Sequence, residues 1–96
     1  MSPEKQKKLN KLRKKLDKLD NSFIRLIKKR TLLVTQVLQL KEYKNQIIDK
    51  KRIKKILKEI RKKSIKNNID PKITNRIWKN MIMSYIDFEK RNFKKK

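Results

Sequence analysis

The stretch LNKLRKKLDKLDNSFIRLIKKRTLLVTQVLQLK, residues 9–41, decides the fold. Leu9, Leu12, Leu16, Leu19, Phe23, Leu26, Arg30, Leu33, Val37 and Leu40 follow one another at alternating spacings of three and four, with no Gly or Pro among them. That period places them on one stripe of an α-helix. Thirty-three residues at ~1.5 Å each make a helix roughly 50 Å long. Asn21 and Ser22 lower its propensity too little to break so regular a seam. A helix of this length has no match in the short remainder of the chain, so its seam is expected to pack against a second subunit. One seam position is Arg30, a cation among apolar residues, which needs an anion or a strong hydrogen-bonding partner to offset its desolvation.

Outward from this helix, residues 1–8 are polar and expected to fray, although Ser2, Pro3 and Glu4 offer an earlier start. Residues 42–48 carry no clear stripe and read as a connection ending at Asp49, a candidate N-cap. A second helix is expected over about residues 50–67, with Ile53, Ile56, Leu57, Ile60 and Ile65 facing inward. Asp70 followed by Pro71 is the strongest boundary signal, an N-cap with Pro at the first helical position. The third helix then runs to about residue 88 or 91, with Ile73, Ile77, Trp78, Met81, Ile82, Tyr85 and Phe88 as its apolar stripe. Residues 92–96 are expected to be disordered. The fold class is all-α: one domain over 1–96, one very long N-terminal helix and two shorter ones, with no strand period.

A chain of 96 residues has a thin core, which an intertwined oligomer would supplement. With no Cys and no His, thiol nucleophiles, imidazole bases and Cys/His metal sites are excluded. The nine acids show no metal-ligand spacing, so neither metal nor cofactor is expected. A net charge of +23 has two readings, a phosphate-binding surface or a general habit of placing Lys on solvated faces. No zinc finger, RNA-binding strand or aromatic-interleaved basic groove supports the first, so no specific nucleic-acid partner is expected. No apolar run approaches a membrane span and no signal-peptide core is present, so a cytoplasmic protein is expected.

Seven of the 32 basic residues are Arg, and only Arg clamps a planar carboxylate through two parallel hydrogen bonds. Arg30 is the leading candidate, against the alternative of an interfacial ion pair with Asp17, Asp20 or Glu59. Arg13 and Arg52 lie near the starts of helices one and two, where a partner subunit can bring them close. Lys41 follows Arg30 by eleven residues, which returns it to nearly the same side about 16 Å further along. Together they can bracket a small anion; alone, Lys41 reads as a surface lysine. Glu89 shares the aromatic stripe of helix three with Trp78, Ile82 and Tyr85, unless the helix ends there and the carboxylate reaches water.

At these residues the sequence resembles the all-helical chorismate mutase family, whose members are intertwined dimers. Leu12-Arg13, Leu16-Asp17, Leu19-Asp20, Arg30 and Lys41 carry the likeness in helix one, Asp49 and Arg52 in the connection and helix two, and Trp78 to Glu89 in helix three. The resemblance covers about residues 9–91 and rests on order and spacing more than on any single motif. It implies the Claisen rearrangement of chorismate to prephenate in aromatic amino acid biosynthesis, a pericyclic step that uses no metal or nucleophile. By this likeness Arg13 of the partner and Arg30 hold the two carboxylates with help from Arg52, while Lys41 donates to the breaking ether oxygen. Asp49 helps place the ring hydroxyl, and Tyr85 and Glu89 complete the expected substrate contacts.

Two departures from the family pattern stand out. Ile53 occupies the place of a Glu that contacts the ring hydroxyl, and Glu89 replaces a neutral Gln near the ether oxygen, with Tyr85 where Ser is common. Glu89 donates a hydrogen bond only when protonated, so activity is expected to rise as pH falls below neutral. The aliphatic Ile53 and the Tyr85-Ile86 pair also resemble isochorismate pyruvate lyases, which release pyruvate from isochorismate to give salicylate. That activity and a non-enzymatic basic dimer binding nucleic acid are the alternatives.

Overall fold

The computed structural model describes residues 1–95. Its elements are α1 (Pro3–Leu40), a 3-10 turn (Lys44–Gln46), α2 (Lys50–Lys66) and α3 (Pro71–Asn92), and no strand occurs among the described residues. α1 begins at Pro3, the earlier of the two starts the sequence offers. The Ser2 hydroxyl accepts the Lys5 N–H at 3.2 Å, the Ser2 carbonyl accepts the Gln6 N–H at 2.9 Å, and Pro3 occupies the first helical position. Three local devices thus satisfy the start that polarity alone argued against. α3 extends to Asn92, and Lys96 of the expected disordered tail lies outside the described residues.

Contacts divide the chain into two compact units, Met1–Leu33 and Val34–Lys96. The first unit is the N-terminal part of α1. Its seam is solvent-facing: Leu12, Leu16, Leu19, Phe23, Leu26 and Leu33 each keep between 57% and 61% of their surface exposed. Burying a Leu side chain stabilises by about 1.5–3 kcal/mol, so this row forgoes a large apolar term in a single chain.

The second unit holds the end of α1, the 3-10 turn, α2 and α3. α2 and α3 pack on each other, and Ile53, Ile56, Leu57 and Ile60 of α2 and Trp78, Met81, Ile82, Tyr85 and Phe88 of α3 are half-buried. Between them Ser64 is buried; its hydroxyl donates to the Ile60 carbonyl at 2.6 Å and pairs with the Thr74 hydroxyl at 2.6 Å. Ser64 therefore takes the inward position near the end of α2, and Ile65, expected to face inward, is exposed.

The reversal between these helices follows from local chemistry. Asn68 adopts φ 56°, the left-handed region that Asn tolerates better than most residues. The Ile69 N–H donates to the Ser64 carbonyl at 2.8 Å and the Asn68 N–H to the Ile65 carbonyl at 3.2 Å, the paired bonds of a Schellman ending. Asp70 then accepts the Lys72 N–H at 2.9 Å and Pro71 opens α3.

The buried residue that α1 contributes to this unit is Leu38, not the seam residues Val37 and Leu40, which are exposed. Adjacent residues on a helix are about 100° apart, so Leu38 faces a different direction from the seam. With Thr35 it borders a hollow of about 260 Å³ also lined by Phe88 and Phe93. The end of α1 thus serves two faces, one used within the chain and one left open. Lys95 Nζ donates to the Gln39 carbonyl, satisfying one of the carbonyls that the last turn leaves without an intrahelical partner.

Candidate active site

Lys41 is the first residue past α1. Its N–H donates to the Leu38 carbonyl at 3.1 Å, which closes the helix in a tight last turn. The next two peptide N–H groups, of Glu42 and Tyr43, both donate to the Gln46 side-chain oxygen, at 2.7 Å and 2.9 Å. The chain from Lys41 to Gln46 is therefore folded back on a single amide. Ile47, buried immediately after, anchors the far end of the connection.

The Lys41 side chain reaches α3. Its Nζ lies 3.1 Å from Glu89 Oε1 and 3.3 Å from Oε2, so one ammonium bridges both oxygens of the carboxylate. Glu89 is buried at 6% exposure, and this pairing accounts for a charged group in such a place. Glu89 thus sits on the inner face of α3 and does not reach water at the helix end. Tyr85, one turn earlier, is half-buried, and its ring meets that of Phe88 edge to face at 6.4 Å and 88°.

Asp49 caps α2, its Oδ1 accepting the Arg52 N–H at 3.0 Å, which fixes the carboxylate beside the connection. Arg52 lies in the first turn of α2 with its side chain exposed, and Ile53 turns inward, half-buried. Lys41, Gln46, Ile48, Asp49, Lys50 and Lys51 together border an open hollow of about 540 Å³. Three lysines on one rim favour an anionic occupant, and the ten Lys and Arg of α2 against its one Glu extend that positive field.

Of the residues singled out from sequence, the structure thus joins Lys41 to Glu89 directly and sets Lys41 and Asp49 on one hollow. Arg13 and Arg30 lie exposed on α1. Seventeen residues of helix separate them, roughly 26 Å along the axis, so one chain cannot close both on a small dianion. Gln46 was not singled out; the only hint in the sequence was a lone amide before Ile47-Ile48, a weak signal.

Lys41 and Glu89 can supply one permanent donor and one donor that depends on protonation, with Asp49 as a fixed acceptor. Such a set orients and polarises a substrate; it contains no nucleophile placed for covalent chemistry. No helix among the described residues is long and apolar enough to cross a membrane. No curated protein and no solved structure matches the chain. The family model for chorismate mutase type II matches residues 12–90. That span takes in most of α1, all of α2 and the Lys41–Glu89 pair, and the chain belongs to the chorismate mutase type II family, a family of isomerases.

Proposed function

We propose that the protein converts chorismate to prephenate as an intertwined homodimer with two shared sites. The observation that carries this reading is the Lys41–Glu89 pair beside the Asp49 hollow, inside the residues 12–90 that the family model matches. In the reaction the ether carbon–oxygen bond breaks as a carbon–carbon bond forms, with no net proton transfer. Catalysis then consists of holding the enolpyruvyl side chain over the ring and stabilising the oxygen as charge develops on it.

Arg30 of one protomer and Arg13 of the other clamp the two carboxylates, with Arg52 assisting. The separation of Arg13 and Arg30 along α1 supports a site built from two chains, and the exposed seam supplies the surface that would join them. Lys41 donates to the ether oxygen. Glu89 donates to it as a neutral acid and, when ionised, competes with the substrate for the Lys41 ammonium. Asp49 accepts from the ring hydroxyl, and Tyr85 walls the site from α3. Removing the Lys41 donor is worth about 3 kcal/mol in the barrier by analogy with an oxyanion-hole donor.

The half-buried Ile53, which offers the ring hydroxyl no polar contact, and Tyr85 favour one second reading, elimination of pyruvate from isochorismate. Prephenate formation from chorismate and salicylate formation from isochorismate, measured side by side on the same preparation, separate the two. Prephenate alone supports the mutase; salicylate alone overturns it. Turnover of neither substrate would leave a binding protein, whose affinity for nucleic acid should fall steeply with salt.

A further inference from the structure

We infer that Gln46 is a positioning residue for Lys41, a role that rests on the mutase reading for its chemical meaning but on the hydrogen bonds for its geometry. A side chain leaves its Cα in a direction set by the two flanking peptide planes. On one side of Lys41 the plane is fixed by its own N–H donating to the Leu38 carbonyl at 3.1 Å. On the other side the plane carries the Glu42 N–H, which donates to Gln46 Oε1 at 2.7 Å. Gln46 Oε1 also accepts the Tyr43 N–H at 2.9 Å, so the same atom locks two successive planes.

Lys41 stands outside α1, where helical hydrogen bonding no longer dictates its backbone. Without the Gln46 oxygen, the Glu42 and Tyr43 N–H groups would turn to water and the Lys41 carbonyl side would rotate with them. The ammonium is four carbons from the backbone, so a modest rotation moves it by an ångström or more, enough to lose a transition-state contact. Gln46 is itself held at the end of the 3-10 turn, its N–H donating to the Tyr43 carbonyl at 3.0 Å, and it borders the same hollow as Lys41 and Asp49. The amide is thus a brace between the α1 terminus and the rim of the site.

The test compares Gln46→Met, which keeps length and loses the acceptor, with Gln46→Glu, which keeps an acceptor oxygen and adds a negative charge. With chorismate, Gln46→Met should lower kcat about tenfold, while Gln46→Glu holds kcat within about twofold and raises KM by repelling a dianion. Helical circular dichroism should be the same for all three proteins. A Gln46→Met kcat within twofold of the unmodified protein, or a kcat loss in Gln46→Glu as large as in Gln46→Met, overturns the assignment. If the unmodified protein makes no prephenate, the mutase reading fails and the brace is judged by nuclear magnetic resonance. Gln46→Met must then speed amide exchange at Glu42 and Tyr43 about tenfold and shift the Lys41 Cε resonance. Unchanged exchange and shift would overturn it on that arm.

Discussion

Lys41 Nζ sits 3.1 Å from Glu89 Oε1 and 3.3 Å from Oε2, joining the end of α1 to a buried carboxylate near the end of α3. As an ionised acid Glu89 can only accept, and the atom it holds is the proposed donor to the ether oxygen. An uncharged donor at this position would free the Lys41 ammonium and add a second hydrogen bond to the ether oxygen. Glu89→Gln, whose amide donates and carries no charge, should therefore raise kcat with chorismate severalfold. A kcat for Glu89→Gln equal to or below that of the unmodified enzyme would exclude this role for Glu89.

Lys41→Met tests the other half of the pair. The variant should lose about 100-fold to 1,000-fold in kcat, the magnitude of a lost oxyanion-hole donor. It should also be less stable, by about 1–3 kcal/mol, because a buried carboxylate loses the ammonium that pairs with it. Adding Glu89→Gln should recover much of the stability, because no unpaired carboxylate is then buried. Thermal melts set beside initial rates check both parts, and a Lys41→Met kcat within twofold of the unmodified protein would contradict the assignment to Lys41.

The two parts of the chain differed in how legible they were in the sequence, for physical reasons. Asp49, Asp70 and Pro71 announced their helix boundaries because capping is local: one side chain and one nearby N–H suffice. The seam of α1 was readable from period alone. Leu38, one residue off that seam, was missed because a helix with apolar residues on two faces hides which face its own chain will use. The Lys41–Glu89 pair was missed as a pair because its members are 48 residues apart and no local rule links them. Gln46 escaped because it acts through backbone N–H groups, which no residue pattern records.

The α2–α3 reversal gives a prediction independent of function. Asn68 holds φ 56° within the Schellman bonds, so Asn68→Ala should cost about 1 kcal/mol, from the Cβ clash in the left-handed region. Asn68→Gly should be neutral within a few tenths of that unit, since Gly adopts this conformation readily. Denaturant midpoints decide the matter, and equal stability of the Ala and Gly variants would show that the turn is not the constraint.

The exposed seam predicts the assembly. Replacing Leu19 by Asp sets a charge in the row that includes Leu16, Phe23 and Leu26, each now more than half exposed. Sedimentation should show the unmodified protein as a dimer and Leu19→Asp as a monomer with little or no turnover. A monomeric unmodified protein with full activity would refute the shared-site arrangement.

Complementation between two inactive variants probes the central proposal most directly. Arg13→Ala and Arg30→Ala should each be nearly inactive alone while remaining helical dimers. When the two are mixed and allowed to exchange subunits, half the dimers should be mixed, and each should regain one intact site from Arg30 of one chain and Arg13 of the other. Chorismate turnover should then rise to roughly one quarter of the unmodified value. A mixture no more active than its parents, with exchange verified by mass, would contradict a site shared between two chains.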